Sequence, residues 1–162
     1  MDLQRCLFSG FLLLSLFRLM AFQIDGEPIR LVLESEPLNT QTEVWIHQLQ
    51  KSKAGEQILY FTDGRKLLDQ GYLDHLEALS RAGKMSASYL VFVGTVDLKD
   101  QVDKRNDYFF CNPSYVDFFE QELIPRVEDT IGRSFQAEDR ALIGVSFGGL
   151  NAAWFSAKSR TF

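Results

Sequence analysis

Histidine is nearly missing from this chain: two in 162 residues, at positions 47 and 75. Any chemistry that needs an imidazole has only those two to draw on. Cysteine is as scarce, with Cys6 in an apolar run and Cys111 far from it. Two such residues support no disulfide framework and have no metal-ligand spacing, and Cys111 reads as a small packing residue. No basic stripe occurs and the net charge is −5, which excludes a nucleic-acid binder, since duplex recognition rests on neutralising phosphates. Internal repeats and low-complexity tracts are absent. No apolar run reaches the roughly 20 residues that span a bilayer.

What is present is ordinary globular material. Apolar residues make up 46% and aromatics 13%, with fourteen Phe gathered in runs such as YFFCN and DFFEQ. Such runs mean core or a walled pocket. The length suits one domain. Residues 1–22 stand apart: Arg5 precedes an apolar run from Cys6 to Phe17, and Arg18 interrupts it. That length suits a signal-peptide hydrophobic region, although Leu19 spoils the small-residue pattern before a cut after Ala21. A short membrane anchor and an amphipathic start are the alternatives, so membrane contact is expected only through residues 6–22. Export follows if the leader is cleaved; membrane-anchored or cytoplasmic placement follows otherwise. The domain proper is expected over 23–162.

Strands are expected at 29–34 and 42–49, with Pro37 and Asn39 between them, and at 57–61, 88–96 and 140–145. "TDG" after the third is a turn signal. Leu73, Leu76 and Leu79 have helical spacing, and Gly83 supplies an end cap. Residues 97–107 read as a polar, charged loop. Over 114–132 the residues Tyr115, Phe118, Phe119, Leu123, Ile124 and Val127 form one apolar helical face, with Pro125 set to kink it. A last helix is expected at 148–158. Strands alternating with helices make a mostly parallel α/β sheet with helices on both faces, and the first two strands form an antiparallel lead-in.

Gly144-Val145-Ser146-Phe147-Gly148 fits the G-x-S-x-G nucleophile turn. A serine on a strained strand-to-helix turn needs neighbours without side chains, which Gly144 and Gly148 supply. The Phe147 N–H then faces the place where a tetrahedral oxyanion forms. By chance the bare pattern falls in roughly one chain in twenty of this length. Its placement, between an apolar strand and a good helix, is what gives it weight.

The blocks ILYFTDG, VFVGTVD, RNDYFF, FFEQELIPRVE and LIGVSFGGLNA, in that order, resemble the putative esterase family of α/β-hydrolases. That family includes enterochelin-type siderophore esterases and S-formylglutathione hydrolase and feruloyl or acetylxylan esterase relatives. The resemblance covers about Gln57 to Phe162. It implies Ser146 as nucleophile, Phe147 N–H as one oxyanion donor, no cofactor, and a small-molecule ester as substrate. It implies a second donor from the TDGR loop, at Gly64 or Arg65; a plain turn is the alternative there. Arg105, Asp107 and Tyr108 match the family's Arg-x-x-acid-aromatic segment, which implies substrate binding; read alone, that loop is solvated charge.

The family order is Ser, then Asp or Glu, then His, yet residues 147–162 contain none of these acids or bases. His47 reads as a sheet residue and His75 as a helix-surface residue. A serine without its base is a weak nucleophile, and losing the histidine of a triad costs on the order of a million-fold in kcat, about 8 kcal/mol. The expectation is therefore the N-terminal half of an α/β-hydrolase fold, incomplete after the nucleophile turn and nearly inert by itself. A non-catalytic α/β-hydrolase-like binding or interaction module is the runner-up. A phosphate site at GVSFGG fails because Ser146 stands where a glycine is needed. Asp97, Asp100, Asp103 and Asp107 lack the spacing of a calcium loop.

Overall fold

The computed structural model describes residues 27–50 and 56–162. The leader expected over 1–22 lies outside the described residues.

Five strands form the main sheet: β1 (Ile29–Ser35), β2 (Thr40–Leu49), β3 (Gln57–Phe61), β4 (Ser88–Val93) and β7 (Arg140–Ile143), in the order β1-β2-β4-β3-β7. β1 and β2 are antiparallel, and so are β2 and β4. β4, β3 and β7 run parallel. The antiparallel lead-in and the parallel remainder are as the sequence predicts. Pro37 and Asn39 build the β1–β2 turn: Asn39 sits at φ 50 and its N–H donates to Glu36 O at 3.1 Å, a left-handed position that Asn tolerates.

The sheet's period-two alternation sorts its side chains into two cores. Val44, Ile46, Ile58, Tyr60, Tyr89, Val91 and Val93 face one side, under the later helices. Trp45, Leu49, Phe61, Leu90 and Phe92 face the other, where Leu67 meets them. β4 is buried at every position, the signature of a strand covered on both faces. The second face is roofed by α1 (Gly64–Asp69) and α2 (Tyr72–Arg81). α2 ends as predicted: Gly83 takes φ 69, its N–H donates to Ser80 O and that of Lys84 to Leu79 O, a Schellman closure.

The first face is roofed by α3 (Arg105–Phe109), α4 (Pro113–Asp117), α5 (Ile124–Ile131) and α6 (Phe147–Lys158). The helix expected over 114–132 is α4 and α5 joined by a π-helical turn at Phe118–Leu123. Pro125 lies in the first turn of α5. It has no N–H to give and its ring crowds the carbonyl four residues back, so the preceding turn widens instead of continuing as α-helix. All six predicted apolar positions of this stretch are buried. Phe119 is the hub, with ring centroids at 5.0 Å from Phe155 and 5.1 Å from Tyr115.

Four expectations need correction. The fourth strand stops at Val93; Gly94 still donates its N–H to Glu43 O at 2.9 Å, and an added Cβ there would sit 2.9 Å from that oxygen. The charged loop over 97–107 is partly ordered: β5 (Val96–Asp97) pairs with β6 (Val102–Asp103), and α3 follows. Asp97 is buried and accepts from the N–H groups of Gln41 and Lys99 at 2.9 and 3.0 Å, so it is a structural cap and no solvated charge. "TDG" opens helix α1 directly. Cys111 is exposed, at φ 52, and does not pack.

Candidate active site

β3, β4 and β7 end on one rim of the sheet, and the Ser146 turn leaves β7 there. Ser146 is exposed at φ 56, ψ −115, a backbone region that costs a side-chain-bearing residue roughly 1–3 kcal/mol. The turn is as tight as the spacing implies. A Cβ on Gly144 would lie 2.2 Å from the Gly148 carbonyl carbon, and one on Gly148 would lie 2.6 Å from Thr62 Oγ1. The first turn of α6 thus rests directly on Thr62 and Asp63. Thr62, which the sequence did not single out, ties β3 to β7 by donating its N–H to Ile143 O at 3.0 Å.

The N–H groups of Gly148, Gly149 and Leu150 are taken by Val145 O and Ser146 O. Among the described residues no backbone acceptor takes that of Phe147. Gly64 and Arg65 open α1, whose first N–H groups are likewise without backbone acceptors. Gly64 cannot be another residue: a Cβ there would lie 2.4 Å from both Phe92 C and Val93 N. That closeness presses the start of α1 onto the end of β4.

Arg105 faces this rim. Its Nε donates to Asp63 Oδ1 at 2.5 Å and its Nη2 to Oδ2 at 2.9 Å, and the Asp63 bond raises its pKa above the ordinary arginine value. Asp107 is exposed and, with Asn106, Phe110 and Phe147, borders a shallow hollow of about 530 Å³ beside the serine turn. Tyr108 points elsewhere. It is buried, stacks on Tyr115 at 5.0 Å and donates to Thr40 Oγ1 at 3.0 Å; burial lifts its pKa. Asp100 and Asp103 accept from the N–H groups of Val102 and Arg105. No cluster of three metal-ligating side chains occurs among the described residues.

The histidines do not join the serine. His75 is exposed on α2. His47 is buried on the α2 face of β2, opposite Leu90 and three rows from the rim, with Nε2 3.1 Å from Glu77 Oε1. Desolvation lowers its pKa and outweighs the raising effect of Glu77. Arg81 binds that same glutamate, and Glu27 and Asp74 line the hollow around it. A histidine whose folded pKa lies below its unfolded 6.5 favours folding fully above pH 6.5, and that contribution fades as pH falls below it. Denaturant midpoints should therefore drop between pH 7.5 and 5.5 by more in the wild type than in His47→Gln. An equal drop in both would assign the acid sensitivity to other groups.

Residues 35–161 match the family described as Putative esterase. The chain belongs to that family. Solved structures agree on the fold. The enterobactin esterase of Shigella flexneri superposes with a TM-score of 0.74 at 22% identity, covering 85% of this chain and 35% of that one. The ferric enterobactin esterase of Salmonella typhimurium gives 0.74 at 23%, covering 85% and 34%. A ferulic acid esterase gives 0.62 at 22%, covering 82% and 53%. The chain spans about a third of the enterobactin esterases it matches. No curated protein matches it. The α/β-hydrolase architecture expected from the sequence blocks is thus the observed one.

Proposed function

We propose that Ser146 is the nucleophile of a carboxylic-ester hydrolase acting on a small-molecule ester. The observation that carries this reading is its backbone, held at φ 56 between two glycines whose Cβ positions are filled by neighbouring atoms. Strain of this kind persists only where the surroundings enforce it. Ser146 Oγ attacks the ester carbonyl carbon. The carbonyl oxygen takes the charge and is met by the N–H of Phe147 on one side and of Gly64 or Arg65 on the other. Collapse expels the alcohol and leaves an acyl-serine, which water then hydrolyses. Family membership and the esterase structures in the same fold support the class of reaction.

No imidazole lies against Ser146, so proton removal depends on a base from outside the described site. The described chain alone is expected to turn esters over slowly, with only oxyanion stabilisation and binding left to act, worth about 10³–10⁴ over water. The same gap favours the runner-up, a non-catalytic binding module.

Labelling separates the two. With a fluorophosphonate and added imidazole, the serine oxygen bonds to phosphorus, fluoride leaves, and imidazole takes the hydroxyl proton. The intact mass should rise by one adduct, peptide mapping should place it on Ser146, and Ser146→Ala should remain unlabelled. A folded wild type that takes no adduct at Ser146 would rule out the nucleophile.

A further inference from the structure

The sequence blocks assign Arg105 to substrate, but the structure gives its guanidinium other work. Nε and Nη2 both donate to Asp63, 42 positions earlier in the chain. The same guanidinium lies over two rings, 5.1 Å from the centroid of Phe109 and 5.5 Å from that of Phe147. Those rings meet edge-on at 5.9 Å. A fork paired with a buried carboxylate and stacked on aromatics is held in one place.

Each contact falls on a segment that the ester-hydrolase reading uses. Asp63 directly precedes Gly64 and Arg65, and Phe147 carries the other N–H. Asp63 stands at φ 59, a left-handed conformation, and its carboxylate makes no capping bond to the N–H groups of α1. Its side chain is spent on Arg105. From the other side, Gly148 abuts Thr62 and Asp63 so closely that a Cβ there would lie 3.3 Å from Asp63 Oδ2. The loop after β3 is therefore gripped between α6 and Arg105.

We propose that Arg105 is a positioning residue. Its two-point pair with Asp63 and its contact on Phe147 fix the distance between the two sets of oxyanion N–H groups. The proposal rests on the ester-hydrolase reading of Ser146. Arg105 touches no reacting atom; it acts through Asp63 and Phe147.

Two measurements on the full chain test it. The first is the rate of imidazole-assisted fluorophosphonate labelling at Ser146. Arg105→Ala should slow it about 100-fold, the cost of one misplaced oxyanion donor. Arg105→Lys keeps the charge but not the fork, and should recover less than about a tenth of the loss. Millimolar methylguanidinium should restore Arg105→Ala by about tenfold and leave the wild type unchanged, because it can refill the Asp63 site. Labelling of Arg105→Ala at the wild-type rate would overturn the proposal. So would a slow rate that Lys restores in full or methylguanidinium leaves untouched, since either points to charge or general destabilisation.

The second is amide exchange, which needs no chemistry at Ser146. The N–H of Leu67, which donates to Asp63 O at 3.0 Å, should exchange at least about tenfold faster in Arg105→Ala, while those of β2 keep their protection. Unchanged exchange at Leu67 overturns the proposal whatever the labelling shows. An unlabelled wild type with the exchange response intact supports the clamp and sinks the nucleophile reading alone.

Discussion

Gly144→Ala should lose on the order of 3 kcal/mol of stability and all labelling at Ser146. The added methyl would lie 2.2 Å from both the carbonyl carbon and oxygen of Gly148, and 2.7 Å from Gly149 N. These are backbone atoms, so no rotamer change relieves the collision. Either β7 and α6 separate or the turn adopts another path. Overpacking in a well-formed core costs typically about 1–3 kcal/mol, and a collision of backbone with backbone belongs at the upper end. Separation also moves the Phe147 N–H, which is why the labelling should vanish even where the protein still folds. Denaturant titration and intact-mass labelling on one preparation check both parts. A variant with wild-type stability and labelling would show that the turn opens freely and is not strained.

Phe119→Ala should be the most destabilising single truncation away from the site, by about 3–5 kcal/mol. Its ring is fully buried and packs against Tyr60, Tyr115, Phe118, Phe155 and Phe162. These partners come from β3, α4, the π turn, α6 and the C-terminal residues, so the cavity cannot collapse by moving one element. Aromatic pairs of this geometry each add roughly 0.5–1.5 kcal/mol beyond area burial. Phe110→Ala is the matched control. Phe110 is 77% exposed, and its loss should change stability by no more than about 0.5 kcal/mol. Urea midpoints for the two variants decide the matter; similar shifts would mean that the aromatic cluster is not the stabilising core.

Much of this architecture was legible in the residues. β3 and β4 read as strands because both faces are covered and their runs are almost wholly apolar. The Ser146 turn was legible because its glycines are forced by contact distances under 3 Å. What escaped was short or non-local. Helix α1 holds six residues, too few for a period to show. The Asp63–Arg105 pair joins a turn signal to a charged stretch, and nothing in either segment announces the other. The π turn was half visible: Pro125 marked the break and Phe118 and Phe119 were both placed on the apolar face, but nothing in the residues announced the wider turn at 118–123. Asn151 gave no signal at all. It is completely buried on α6 with neither amide atom hydrogen-bonded among the described residues, and nothing in the structure explains its presence.

The strand order has a consequence for when the site can form. β1 and β2 pair across a four-residue turn, Ser35 opposite Thr40, so their contact is local and fast to close. β3 meets β7 only after a long excursion; Thr62 and Ile143, bonded across that seam, stand 81 positions apart. Loop-closure entropy must be met before such a seam contributes, and non-local pairing slows folding. The serine turn begins at the end of β7 and leans on Thr62, so it cannot precede that pairing. On loop-closure grounds the β1–β2 hairpin is expected to form before the β3–β7 seam, and the strained turn at Ser146 only once that seam is in place.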